Sequence, residues 1–240
     1  MSFLSYEMDI NFRTNDFDSD DYITSTAILS LFQDIAGLHA DQIGIGFEGS
    51  YNMGYYWVLV RNRIEIFKNP KPLTKGKLVT WPHEKGRVDC NREYVLYDSV
   101  GDVVARGLSK WVIIDIEKRR ICRTDKISFG EGEYIKENYY EDVEKIKIPD
   151  ISLFKKITSH RVLKRDLDHN KHMNNSKYTD IIFDVVPNEL KINKLNIEYI
   201  KEVTLDDIID IYEYEDDLYI YHLGLHNDEK TFVSQIIKDW

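Results

Sequence analysis

The chain has 240 residues, 42% hydrophobic and 31% charged, which is enough for a sizeable core in one large domain or in two of about 100 to 150 residues each. A formal net charge of -10 excludes general nucleic-acid binding, which needs a dense basic surface to neutralise phosphates. The only cysteines, Cys90 and Cys122, stand outside any CxxC or His/Cys cluster, so neither a disulfide framework nor a structural zinc site is expected, and one thiol pair stays open.

The start, "MSFLSYEMDINFRTND", lacks a basic region followed by an unbroken apolar run, and no later stretch reaches the roughly 18 apolar residues of a membrane span. A cytoplasmic protein is expected. "YEMDINFR" reads as a strand. Residues 24–43 then place Ile28, Leu31, Phe32, Ile35 and Leu38 at helical spacing, with Thr24 or Ser25 as N-cap and Gly44 as stop. His39 on that helix is read as a satisfied histidine and not a catalytic one. "GIGFEG" is Gly-rich, but it lacks the Lys-Ser/Thr continuation and strand-to-helix setting of a phosphate loop. Four strand-like runs follow: "YYWVLVRNRIEIF", "KLVTW", "CNREYVLYDS" and "VVARGLSKWVIID".

Residues 126–150 are charged, Gly-containing and poor in apolar periodicity, as a linker or covering segment would be. The second half repeats the first. "TSHRVLKRDLD" reads as a strand, Asn175 to Val186 as a helix ended by Pro187, and "KLNIEYIKEV", "DIIDIYEYE", "LYIYHLGLH" and "TFVSQIIKD" as strands. Two copies of a helix followed by antiparallel strands imply an α+β protein of tandem hot-dog type, each half a sheet wrapped around one central helix. The expected boundaries are 1–125, a segment 126–150, and 151–240. The expectation rests on element order, not on residue identity between the halves.

The stretch "DLDHNKHMNNSKY", residues 166–178, allows two readings. If it continues the preceding strand, Asp168, Asn170 and His172 point to one side with successive members roughly 6 to 7 Å apart. The helix start behind them offers free N–H groups at Asn174, Asn175 and Ser176, suited to an oxyanion. Alternatively, Asn174 or Asn175 is a plain N-cap and the rest a solvated turn. Further on, Glu198 and Glu202 would share a strand face with Asn196 and Ile200. A carboxylate on the core face must be paired, hydrogen-bonded or functional. Local basic patches for an acidic partner are Lys68, Lys71, Lys75 and Lys77, or Lys155, Lys156, Arg161, Lys164 and Arg165; a solvated surface is the alternative.

Across nearly its whole length the chain resembles the bacterial acyl-acyl carrier protein thioesterases. "DLDHNKHMNNSKY" matches that family's D-x-N-x-H-x-N-N-x-x-Y pattern and "IEYIKEV" its E-Y-x-x-E-C segment, while "QDIAGLHADQIGIGFE", "WVLVRNRIEI" and "ARGLSKWVIIDIEKRR" look like its first-half segments in order. The resemblance implies a tandem hot-dog fold and hydrolysis of the thioester between a fatty acyl chain and the phosphopantetheine arm of acyl carrier protein. It also implies Asp168, Asn170, His172 and Glu202 as the catalytic group, and a first half that shapes the acyl tunnel. No metal or other cofactor is implied. Where the family often has Cys after the catalytic Glu, this chain has Val203, and a hydrocarbon cannot attack a thioester. Direct attack by water is therefore expected, with Glu202 as general base, His172 positioning the water or protonating the thiolate, Asn170 holding water or the pantetheine arm, and Asp168 orienting His172. An acyl-coenzyme A thioesterase and a non-catalytic acyl-ligand sensor are the rival readings. A monomer and a side-by-side homodimer are equally reasonable.

Overall fold

The computed structural model describes residues 4–187 and 189–238, and the chain divides into two units, Met1–Val143 and Glu144–Trp240. In the first, strand β1 (Tyr6–Asn11) leads through a 3-10 turn into helix α1 (Ser25–Gln42). There follow a short helix α2 (Phe47–Asn52), which the sequence reading missed, and strands β2 (Tyr55–Ile66), β3 (Lys75–Pro82), β4 (Asp89–Asp98), β5 (Val103–Asp115) and β6 (Arg120–Ile121). The strands pair antiparallel in the order β1-β3-β4-β5-β2, with β6 beside β5.

The second unit runs β7 (Lys155–Arg161), α3 (Lys177–Val185), β8 (Lys194–Tyr199), β9 (Ile208–Glu215), β10 (Tyr219–His226) and β11 (Glu229–Ile237). Its antiparallel order, β7-β9-β10-β11-β8, repeats that of the first unit strand for strand. Each unit is thus the hot-dog arrangement expected. The repeat reaches individual bonds: the N–H groups of Phe67 and Lys68 share the Val104 carbonyl, and those of Ile200 and Lys201 share the Thr231 carbonyl. This pairs "RIEIFKN" with "NIEYIKE" and places Asn69 opposite Glu202. Among the described residues no helix is long and apolar enough to cross a membrane.

Helix α1 starts where Thr24 accepts the Ala27 N–H on its hydroxyl (3.1 Å), and the chain turns away at Gly44, which holds φ +74°. Its buried stripe is Ile28, Phe32, Ile35, Ala36 and His39, whereas Leu38, expected on that stripe, is 45% exposed. The Phe32 ring stacks on Tyr94 of β4 with centroids 4.4 Å apart. It also lies so close to Gly107 of β5 that a Cβ there would meet the ring at 2.3 Å. Glycine at this strand position is required by packing, and burial of such a ring stabilises by ~1.5–3 kcal/mol.

Residues 126–143 pack within the first unit. Ile127 and Phe129 join a cluster with Ile113 and Cys90, and Tyr140 donates its N–H to the buried Glu93 (2.9 Å) and its hydroxyl to Glu65 (3.0 Å). Ile146 and Phe154 instead pack with Tyr221, Leu223 and Val233 of the second unit.

His39 is 1% exposed and accepts from the Arg92 guanidinium at Nδ1 (2.9 Å). Burial, reinforced by the Arg92 charge, lowers its pKa from 6.5 to about 4. Between those pH values the unfolded chain takes a proton at this site and the folded one does not. The associated stability is therefore complete above pH 6.5 and lost as pH falls toward 4, an effect of up to about 3 kcal/mol. His39→Gln keeps an acceptor for Arg92 but cannot titrate. Urea unfolding across this range is expected to show wild-type stability dropping more steeply with acid than that of the variant; parallel curves would show that His39 is not the source.

Candidate active site

Residues 166–172 do not continue the strand. β7 stops at Arg161, a 3-10 turn covers Lys164–Asp166, and Leu167 pairs with Met173 across a tight hairpin. The Asp168 N–H donates to the His172 carbonyl (2.8 Å), and Asp168 Oδ1 accepts the N–H groups of Asn170 (2.8 Å) and His172 (3.3 Å). Lys171 takes φ +66°. An aspartate side chain that captures amides two and four residues on offers the backbone an alternative to a ladder, and so the period-two alternation is lost. Asp168, Asn170 and His172 consequently share no strand face: Asn170 is exposed at the hairpin tip, while Asp168 and His172 are half-buried.

The first unit contains the same hairpin. The Asp18 N–H donates to the Tyr22 carbonyl (2.8 Å), Asp18 Oδ1 accepts from Asp20 and Tyr22 (both 2.9 Å), and Asp21 holds φ +58°. Each hairpin is preceded by a buried aspartate that closes the 3-10 turn: Asp16 accepts the Arg13 N–H (2.7 Å) and Asp166 the Leu163 N–H (2.8 Å). The Asp16 carbonyl then takes the Thr24 N–H (2.9 Å) and the Asp166 carbonyl the Asn174 N–H (2.8 Å). Asp166 also pairs with His160 at 3.0 Å. Asp166 escaped the sequence reading, although its repetition at Asp16 was there to be found.

Strand β8 ends at Tyr199, so Glu198 and Glu202 do not share a strand face. Glu198 is 8% exposed and accepts the Ile146 N–H (3.2 Å), which makes it a structural acceptor. Past the strand, the Met173 N–H donates to the Val203 carbonyl (2.9 Å) and His172 bridges to Thr204. These contacts bring Glu202 Oε2 to 3.3 Å from His172 Nε2, with the two side chains 49% and 36% exposed. Val203, which directly follows Glu202, is 1% exposed and belongs to the core. In the first unit the corresponding corner is closed by a side chain: Asn69 accepts the Ile23 N–H (2.9 Å) and donates to the Asp21 carbonyl (2.7 Å).

Behind the hairpin, Asn174 Oδ1 accepts both the N–H and the hydroxyl of Ser176 (2.9 and 3.0 Å), and the Lys177 N–H bonds the Asn174 carbonyl (2.9 Å). Of the three amides expected at the helix start, those of Asn174 and Ser176 are engaged. Only that of Asn175 makes no hydrogen bond among the described residues. The Asn175 carbonyl accepts from the Tyr199 hydroxyl (3.0 Å), which fixes the turn. Tyr178 of α3 lies edge-on to Tyr199 and Phe232, and burial, with the nearby Glu202 charge, raises its phenol pKa.

Neither cysteine is paired, and burial pushes the Cys90 thiol up to about 12, away from thiolate chemistry. Among the described residues no three His, Cys, Asp or Glu side chains gather as metal ligands. Much of both basic patches is neutralised: Lys68 by Asp98 and Asp102, Lys77 by Glu7, Lys156 by Asp210 and Arg161 by Asp206.

Residues 4–128 match the family model of the acyl-ACP thioesterase N-terminal domain and residues 152–240 that of the C-terminal domain. The chain is 28% identical over 228 residues to oleoyl-acyl carrier protein thioesterase 1, chloroplastic, of Arabidopsis thaliana, covering 86% of this chain and 63% of that relative's length. A crystal structure of an acyl-ACP thioesterase from Bacteroides thetaiotaomicron superposes with a TM-score of 0.89 at 21% identity, covering 98% of this chain and 97% of that one. The 12:0-ACP thioesterase from Umbellularia californica gives 0.84 at 18% identity, covering 99% and 98%.

Because the neutral amide oxygen of asparagine can accept the same N–H groups, Asp168→Asn is expected to leave the hairpin closed, whereas Asp168→Ala opens it. At about 1 kcal/mol per lost bond, amide exchange at Asn170 and His172 should accelerate about tenfold or more in the alanine variant alone. Equal exchange in both variants would deny Asp168 this positioning role.

Proposed function

Since the chain belongs to the acyl-ACP thioesterase family, we propose that it hydrolyses the thioester of a fatty acyl chain on the phosphopantetheine arm of acyl carrier protein, releasing the free fatty acid. The observation that carries this reading is the approach of Glu202 to His172 at 3.3 Å on a half-exposed rim, where water and a thioester can reach both. An exposed pair of this kind adds only ~0–1 kcal/mol to stability. Its use is chemical.

Glu202 accepts a proton from a water molecule as the water oxygen bonds to the carbonyl carbon, giving a tetrahedral oxyanion beside the unengaged Asn175 N–H. Collapse of that intermediate breaks the carbon–sulfur bond. His172 supplies a proton to the departing thiolate and recovers one through Glu202, so the products are a carboxylic acid and the carrier thiol. Asn170, exposed at the hairpin tip, holds water or the pantetheine arm, and Asp168 positions His172 through its backbone. No thiol nucleophile takes part.

The first unit has Tyr22 and Asn69 at the corresponding positions, and Asn69 is committed to the backbone. Chemistry is therefore assigned to the second unit and acyl-chain binding to the first. Glu202→Gln and His172→Ala proteins, shown to be folded, are expected to lose about 100- to 10,000-fold in kcat toward acyl-acyl carrier proteins. Turnover at the wild-type rate by both would remove the mechanism. Parallel assays with acyl-coenzyme A esters decide the carrier, and binding of acyl thioesters without any turnover would point to a sensor.

A further inference from the structure

The two hairpins have one backbone and opposite charge. From Arg13 to Ile23 the first sets one cation against four aspartates; from Leu163 to Met173 the second sets three cations against two aspartates. In the second, both aspartates are spent inward, Asp166 on the Leu163 amide and His160, Asp168 on two hairpin amides. The reversal falls on exposed positions: Thr14, Asn15, Asp20 and Asp21 of the first hairpin correspond to Lys164, Arg165, Asn170 and Lys171 of the second.

Neighbouring cations are neutralised, Arg161 by Asp206, Lys177 by Asp180 and Lys201 by Glu229. Among the described residues Lys164 and Lys171 have no such partner. Arg165 is 79% exposed, and its one acidic neighbour among the described residues is the already engaged Asp166, at 3.8 Å. Lys171 adjoins His172 in the chain, and the Asn174-to-Asp166 bond ties the turn bearing Lys164 and Arg165 to the segment after His172. A protein of net charge -10 repels an acidic partner over most of its surface, so a local group of exposed cations selects where such a partner lands.

We propose that the second hairpin, through Lys164, Arg165 and Lys171, is the docking surface for the acidic face of the acyl carrier protein, delivering its pantetheine arm to His172 and Glu202. This rests on the carrier being the substrate, as read above. The first hairpin, built on the same bonds, carries the charge that turns the carrier away.

The chain itself supplies replacements compatible with this backbone. The triple variant Lys164→Thr, Arg165→Asn, Lys171→Asp installs the first hairpin's residues, including aspartate at the left-handed position that Asp21 occupies at φ +58°. Two measurements at low salt test the proposal: calorimetric binding of holo acyl carrier protein, and kcat/KM for acyl-carrier and acyl-pantetheine thioesters. The variant is expected to bind the carrier about tenfold or more weakly, and to lose about tenfold or more in the ratio of carrier to pantetheine thioester kcat/KM.

Unchanged carrier binding overturns the proposal. So does a parallel fall of both activities, which would tie the cations to catalysis, or an equal loss produced instead by Lys71→Glu and Lys75→Glu in the first unit. A wild-type protein that binds the carrier through these three cations yet cleaves neither thioester would retain the docking surface and refute hydrolysis. One that cleaves acyl-pantetheine but binds no carrier would do the reverse.

Discussion

The hydrogen bond from the Met173 N–H to the Val203 carbonyl determines what Glu202 is free to do. Met173 is 4% exposed, and a buried amide left without an acceptor costs about 1–3 kcal/mol, so something at this corner must accept it. In the first unit the acceptor is the side chain of Asn69, the residue at the position of Glu202. In the second, the duty passes one residue along to a backbone carbonyl. The carboxylate is released from the fold and meets His172 instead.

The repeat also separates scaffold from chemistry without reference to any other protein. Whatever recurs in both units serves the hairpin: the aspartate that closes the 3-10 turn, the second aspartate that gathers two amides, and the left-handed residue at the tip. What appears once is available for function, and it includes His172 for Tyr22, Glu202 for Asn69, Asn170 for Asp20, and cations for neutral or acidic residues at the rim. Asp168 falls on the scaffold side of this division although it lies within the motif. Its bonds are those of Asp18, beside which no histidine stands.

Apart from the short α2 and β6, element order and both central helices were legible from period-two and period-3.6 patterning, because those patterns report which face is buried. The hairpin was not. "RDLDHNKH" has no apolar alternation to betray it, and its geometry comes from side-chain-to-backbone bonds that compete with a strand. Set under "NDFDSDDY", however, the repeated Asp-x-Asp spacing is visible, as is "RIEIFKN" over "NIEYIKE". Comparing the halves residue by residue would have exposed Asp166 and separated Glu198 from Glu202. His39 is satisfied as read, but the partner that satisfies it could not be named, because the Arg92 guanidinium that donates to it lies 53 residues away in the chain, and Leu38 beside it is exposed.

Burial then sorts the remaining acids by what they can do. Asp16, Glu93, Asp166 and Glu198 are all buried, and each accepts at least one backbone amide. A carboxylate held in this way is committed to fixed donors and sits out of reach of bulk water. It can brace a covering segment or a turn, but it cannot meet an incoming water molecule. Glu202 has the opposite environment: no amide donates to it among the described residues, half its surface is open, and its nearest partner is an imidazole, the side chain suited to exchanging protons near neutrality. The Cys90 thiol is pushed up to about 12 by burial and Val203 is a hydrocarbon in the core, both in keeping with the proposal that an accessible carboxylate and its histidine activate water.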